Sequence, residues 1–261
     1  MFIDTHLHLV DRGRLSYPWL ASVPALDRDW TYADYSRAAA TLGIEGCLHM
    51  EVDVAPADIG AETAMVQEIM AQDDGLMRGA ISSARPEEPG FAATLEALDR
   101  TVVRGIRRVL HVVPDEVSQS SLFRDNVARI GAAGARADQL GLAAALVDAC
   151  PDTTFVLDHC GVPDIAGGGH TPWAEAITDL ARRPNLNAKI SGITAYAAPD
   201  WSLDTLRPYV EHVISSFGWQ RVVWGSDSPV CTLNASLEGW VAATNALMSG
   251  TSDSERAALY R

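Results

Sequence analysis

The chain has 261 residues, 48% of them hydrophobic, which suits one large domain with a sizeable core and is not the composition of a disordered chain. A formal net charge of −14 weighs against nucleic acid and anionic membrane surfaces as partners, because both attract basic patches. No run approaches the ~20 apolar residues of a membrane span, no basic-then-apolar leader opens the chain, and the four scattered cysteines form no Cys-x-x-Cys; a reduced, cytoplasmic protein is expected.

Apolar runs predict strands over Phe2–Leu7, Gly46–Val52, Met77–Ser82, Val103–His111, Thr154–His159, Leu186–Ser191 and Arg221–Ser226. Helical spacing falls between them, over Tyr32–Leu42, Ala57–Gln72, Phe91–Arg100, Leu122–Ala133, Leu140–Ala149, Trp173–Ala181, Leu203–Phe217 and Leu237–Met248. This alternation predicts βα units around a parallel sheet. The length fits a single α/β domain over 1–261 of the (β/α)8 TIM-like barrel type, which needs roughly 250 residues. Seven strands fall one short of eight. Between Gly131 and Pro151 no β-branched run remains, so either one strand is missing there or the count of seven is wrong.

Polar residues gather at the carboxyl ends of these strands. The first strand reads Asp4-Thr5-His6-Leu7-His8, and alternation predicts Asp4, His6 and His8 on one face. Two imidazoles so placed can bind a divalent metal or handle protons near neutral pH. The second strand places His49 and Glu51 on one face. The fourth puts Arg107 and His111 on one side and Arg108 on the other. Later ends read Asp158-His159-Cys160 and Ser226-Asp227-Ser228. One strand-end aspartate more often caps the next helix. Five such ends on one rim point to an active site, because ionisable groups are rarely buried without partners. Gly167-Gly168-Gly169 reads as a plain loop, and Ser226 lacks the Gly-x-Ser-x-Gly setting of a serine hydrolase.

Asp-Thr-His-Leu-His at the start, Leu-Asp-His-Cys-Gly and Trp-Gly-Ser-Asp-Ser-Pro resemble the amidohydrolase superfamily. Tyr17-Pro18-Trp19-Leu20, Glu51-Val52-Asp53, Gly105-Ile106-Arg107-Arg108 and Lys189-Ile190-Ser191-Gly192 narrow the resemblance to its lactonase branch, which includes L-fuconolactonase and 2-pyrone-4,6-dicarboxylate lactonase. Three departures stand out: the strand after Gly134, a chain that stops at Tyr260-Arg261 where such proteins usually continue, and Ser228 where the branch commonly has Trp.

The resemblance implies hydrolysis of a small cyclic ester, a sugar lactone in first place. Asp227 would act as general base on water, and His159 would polarise the carbonyl. His6, His8, Asp227 and His159 would hold at most one divalent metal, zinc or manganese; a metal-free site is the other expectation, since the branch is similar to enzymes that dispense with one. The bridge of binuclear relatives is not expected here, because Lys189, the only lysine, lies on the wrong strand. Arg107 is the first candidate to grip substrate, through its forked donors. Arg108, His111, Glu51, His49, Trp19 and Tyr17 are further substrate-binding candidates. Arg108 is expected to pair with an acid outside the barrel, and His49 with Glu51 reads equally as a buried ion pair. A small-molecule substrate is the expected partner, with homo-oligomerisation left open. The competing readings are a metal-dependent decarboxylase of aromatic carboxylates and a non-catalytic carbohydrate-binding barrel.

Overall fold

The computed structural model describes residues 2–72, 75–110, 112–129 and 139–261. Seven parallel strands are present among them: β1 (Phe2–Leu7), β2 (Ile44–Met50), β3 (Met77–Ser83), β4 (Val103–Arg107), β5 (Phe155–Leu157), β6 (Leu186–Ile190) and β7 (Val222–Trp224). β1 to β4 hydrogen-bond in chain order, and so do β5 to β7. The two runs meet where β7 returns to β1. His8 N donates to Ser228 O at 2.7 Å, and Asp227 N donates to His6 O at 2.8 Å. The result is an α/β barrel of the TIM type, with helices outside and strand carboxyl ends converging on one rim. The segment where a missing strand is expected, 130–138, lies outside the described residues.

Local signals explain the helix ends. Thr31 accepts from Asp34 N to start α1 (Tyr32–Leu42), and Gly43 ends it at φ 72°. Ser202 and Thr205 form a capping box on α8 (Leu203–Phe217). A last helix, α10 (Asp253–Tyr260), extends past the expected elements, and its Ser252–Glu255 capping box is written in the sequence. Its Tyr260 ring packs 4.2 Å from Phe2, which in turn meets Trp224 at 4.9 Å. Trp224 and Trp240, both fully buried, anchor β7 to α9 (Leu237–Leu247); their indoles donate to Thr244 Oγ1 and Gly225 O. Among the described residues no helix is long and apolar enough to cross a membrane.

Two expectations change. β4, β5 and β7 stop early, at Arg107, Leu157 and Trp224, so the polar residues that follow sit on turns. Positive φ at His159, Cys160 and Asp227 breaks the extended run there. Asp4 also does not share the face of the imidazoles. The β1–β2 register slips between Asp4 and Leu7, and the Asp4 carboxylate turns to Tyr35 of α1. There it accepts from Tyr35 Oη at 2.7 Å, Ser226 N at 2.7 Å and His6 N at 3.1 Å.

Asp4 thus ties β1, α1 and the end of β7 together while fully buried. Asp4→Ala leaves those donors unpaired, and urea denaturation is expected to show a loss of roughly 2–4 kcal/mol. A loss below about 0.5 kcal/mol would mean that the closure does not depend on this carboxylate.

Candidate active site

Seven side chains from five strand ends meet at the rim. β1 supplies His6 and β1's continuation His8; Glu51 follows β2, and Arg107 ends β4. Asp158 and His159 follow β5, and Asp227 follows β7. The backbone is forced into the left-handed region at Asp53 (φ 46°), His159 (φ 53°), Val162 (φ 52°) and Asp227 (φ 56°). Each such residue costs on the order of 1–3 kcal/mol, and Val162 is β-branched, which makes it the more unusual. Surrounding packing holds the turns in place so that these side chains face inward.

Asp227 is the centre. It is 1% exposed, and neither carboxylate oxygen has a hydrogen-bond partner among the described residues. His8 Nε2 lies 3.4 Å from Oδ1 and His6 Nε2 3.6 Å; His159 Nδ1 lies 3.8 Å from Oδ2. Burial pushes the Asp227 pKa up to about 6. At neutral pH it is an ionised carboxylate with unusual basicity. Gly192 closes the space behind it at φ 63°; a Cβ there would sit 2.5 Å from both Asp227 Oδ2 and His159 Nδ1.

The histidines are neutral. Burial, then Arg107, pushes His8 down to about 3; burial and Lys189 lower His6, and burial lowers His159. His8 Nδ1 faces the Met50 carbonyl at 3.0 Å, which only accepts, so its proton sits on Nδ1 and the Nε2 lone pair points into the site. The His159 ring is held by the Ser191 hydroxyl at 2.9 Å from Nδ1.

The remaining charges are paired. Lys189 Nζ lies 2.9 Å from Asp158 Oδ1 and 3.2 Å from His6 Nδ1, and it donates to Thr5 O at 3.2 Å. Burial alone would raise Asp158, but Lys189 and His6 hold it well below the usual carboxylate range. Arg107 donates through Nε to Glu51 Oε1 at 2.5 Å and through Nη2 to Glu51 O at 3.0 Å; its Nη1 lies 3.7 Å from Asp158 Oδ2. Burial opposes the Glu51 charge, and Arg107 restores it, leaving that carboxyl below its ordinary value.

A cavity of about 330 Å³ opens above this floor. His8, Arg107, His159, Asp227 and Trp19 line it. Other expected residues go elsewhere. His49 turns outward to Glu62 of α2 (Ile59–Gln72) at 3.3 Å and pairs with that acid instead of Glu51. Its separation from Glu51 arises because the chain leaves β2 after Met50. Arg108 is clamped by Glu87, with Nη2 2.6 Å from Oε1, and is the outside ion pair anticipated for it. Tyr17 is buried under the loop, its hydroxyl accepting from Asp11 N at 3.0 Å, and does not line the cavity. His111 lies outside the described residues. No role in the site was expected of Lys189, Asp158, Tyr196 or Asp53. The first two are buried in the charge cluster and the last two line the cavity. The lone lysine among arginines was the one available signal.

The donor set fits one divalent ion. His6, His159 and Asp227 bring ligand atoms within 4.8 Å of one another. His6 Nε2, His8 Nε2 and Asp227 Oδ1 form a triangle with edges of 3.1, 3.4 and 3.6 Å. Tetrahedral donors around zinc sit roughly 3.3 Å apart, given bonds of about 2.0–2.1 Å. A second ion on the other nitrogen of His6 is disfavoured, because the fixed Lys189 cation already lies 3.2 Å from Nδ1.

A buried, unpartnered carboxylate among neutral imidazoles at the carboxyl rim of an α/β barrel defines the site of a hydrolytic barrel enzyme. The chain belongs to the amidohydrolase family, whose model matches residues 3–261. It is 28% identical to the uncharacterized protein y4mH of Sinorhizobium fredii, across 99% of this chain and 95% of that one. It is 26% identical to an L-fucono-1,5-lactonase of Burkholderia multivorans, across 90% of this chain and 84% of that one. It shares its fold with an amidohydrolase from Burkholderia multivorans, crystallised with bound zinc, at TM-score 0.89 and 24% identity over 100% of this chain and 96% of that one.

Two outcomes follow from the cluster. Lys189→Met strips Asp158 of its closest cation, and urea denaturation should show a loss of about 3–5 kcal/mol, as for other buried pairs broken on one side. Elemental analysis of purified protein should find no more than one zinc or manganese per chain; two per chain would contradict the geometry around His6.

Proposed function

We propose that the chain opens a small lactone by hydrolysis. The observation that carries this reading is the buried Asp227 carboxylate, unpartnered, basic, and open to a cavity floored by neutral imidazoles. The match to L-fucono-1,5-lactonase supports a cyclic ester as substrate, with sugar lactones as one class to consider.

In this reading Asp227 orients a water molecule and takes its proton as the oxygen attacks the ring carbonyl. His159, with Nδ1 held by Ser191, turns a ring N–H toward the developing oxyanion. The tetrahedral species collapses with cleavage of the ring C–O bond, and Asp227 returns the proton to the leaving alkoxide. Arg107 is fixed by Glu51 and presents Nη1 to the site. A divalent ion held by His6, His8 and Asp227 would supply Lewis-acid polarisation and a more acidic water. Burial keeps bulk water from screening these charges.

Asp227→Asn keeps the shape and removes the base. A pH-indicator lactone assay should show kcat lower by roughly 10²–10⁴-fold, with far-UV circular dichroism unchanged. Retained turnover would rule out Asp227 as the base, and retained ligand affinity without any turnover in the unaltered protein would favour a binding barrel.

A further inference from the structure

The cavity above the charged floor has apolar walls. Leu20 and Leu26 descend from the loop after β1, Val52 follows β2, Val109 and Val112 follow β4, and Val230 follows β7. Val112 is 58% exposed, so a large apolar side chain faces water at the mouth. An apolar surface of this kind is stabilised when a ligand covers it.

Among the described residues, and apart from the catalytic candidates His159 and Asp227, the polar groups that could receive substrate hydroxyls are mostly committed. Trp19 Nε1 donates to Val52 O at 2.8 Å, and His8 Nδ1 is taken by Met50 O. Asp158 is held by Lys189, and Arg107 by Glu51. Beyond the catalytic candidates His159 and Asp227, Asp53 and Tyr196 are the remaining polar lining residues among the described ones, and Asp53 lies 3.7 Å from Arg85. A hydroxyl pressed against the valines without a partner costs about tenfold in affinity or more.

Charge points the same way. Among the described residues Arg107 is the one lysine or arginine that lines the cavity, against the carboxylates of Asp53, Asp158 and Asp227. Arg107 already faces Glu51 and Asp158. A substrate with two carboxylates would bring like charge to Asp227, with only Nη1 of Arg107 to receive it among the described lysines and arginines of the lining.

We infer that the substrate is an uncharged lactone bearing an apolar alkyl or aryl substituent, whose ring sits on the Asp227 floor and whose substituent lies along the valine and leucine walls. The inference rests on the lactonase reading and narrows it: the sugar lactones that the resemblance brings forward, and dicarboxylates, are poorer matches to this cavity.

The test is a three-member panel with the full chain: δ-decalactone, L-fucono-1,5-lactone and 2-pyrone-4,6-dicarboxylate. The kcat/KM for δ-decalactone should exceed both others by at least about tenfold, the scale of one to two buried methylenes. Val112→Asn, at an exposed position that folding does not depend on, should raise the KM for δ-decalactone about threefold, and Val230→Asn about tenfold. Faster turnover of either other compound, or unchanged KM in both variants, overturns the inference and leaves lactone hydrolysis standing. If none of the three is cleaved, the lactonase reading fails, and calorimetry with two lactams decides the cavity separately. Binding of 6-pentyl-2-piperidone at least tenfold tighter than 2-piperidone, with a more negative heat-capacity change, upholds apolar recognition; equal binding overturns it.

Discussion

Two backbone hydrogen bonds carry the site: Asp227 N to His6 O, and His8 N to Ser228 O. They join the first strand to the last, and they set the paired imidazoles against a carboxylate from the far end of the chain. Asp4 reinforces the same seam from the helix side, through Tyr35 and Ser226. Without that closure His6 and His8 would stand on an edge strand facing water, and Asp227 would have no reason to be basic.

The charges at the rim divide into paired and unpaired. Asp158 and Glu51 are buried but fully matched by Lys189 and Arg107, which keeps both ionised. Asp227 receives no donor, so burial dominates and its proton affinity rises. One environment therefore yields both fixed counter-charges and a base. The strained turns at His159 and Asp227 are the conformational cost of pointing these groups at one spot. Lys189, which satisfies Asp158, also lies beside His6 Nδ1 and disfavours a second ion there.

Above this floor the chemistry changes from polar to apolar within one cavity. The division separates two tasks. The floor, built from strand ends, holds the candidate base Asp227 and the paired charges around it. The walls, built from loops, set which substituent is accepted, and loops vary without disturbing the barrel.

The alternation of strands and helices, the barrel class and the strand-end positions of His6, His8, Arg107, His159 and Asp227 were legible along the chain. Apolar periodicity and spacing by two are local properties that survive into any fold. Tertiary structure decided the rest. A register slip in β1 sent Asp4 to Tyr35, and the exit from β2 parted His49 from Glu51, because alternation holds only while a strand stays regular. Lys189 and Asp158 became a pair only when β5 and β6 lay side by side. The basicity of Asp227 and the apolar character of the walls depend on what surrounds each residue in space, and no spacing along the chain encodes that.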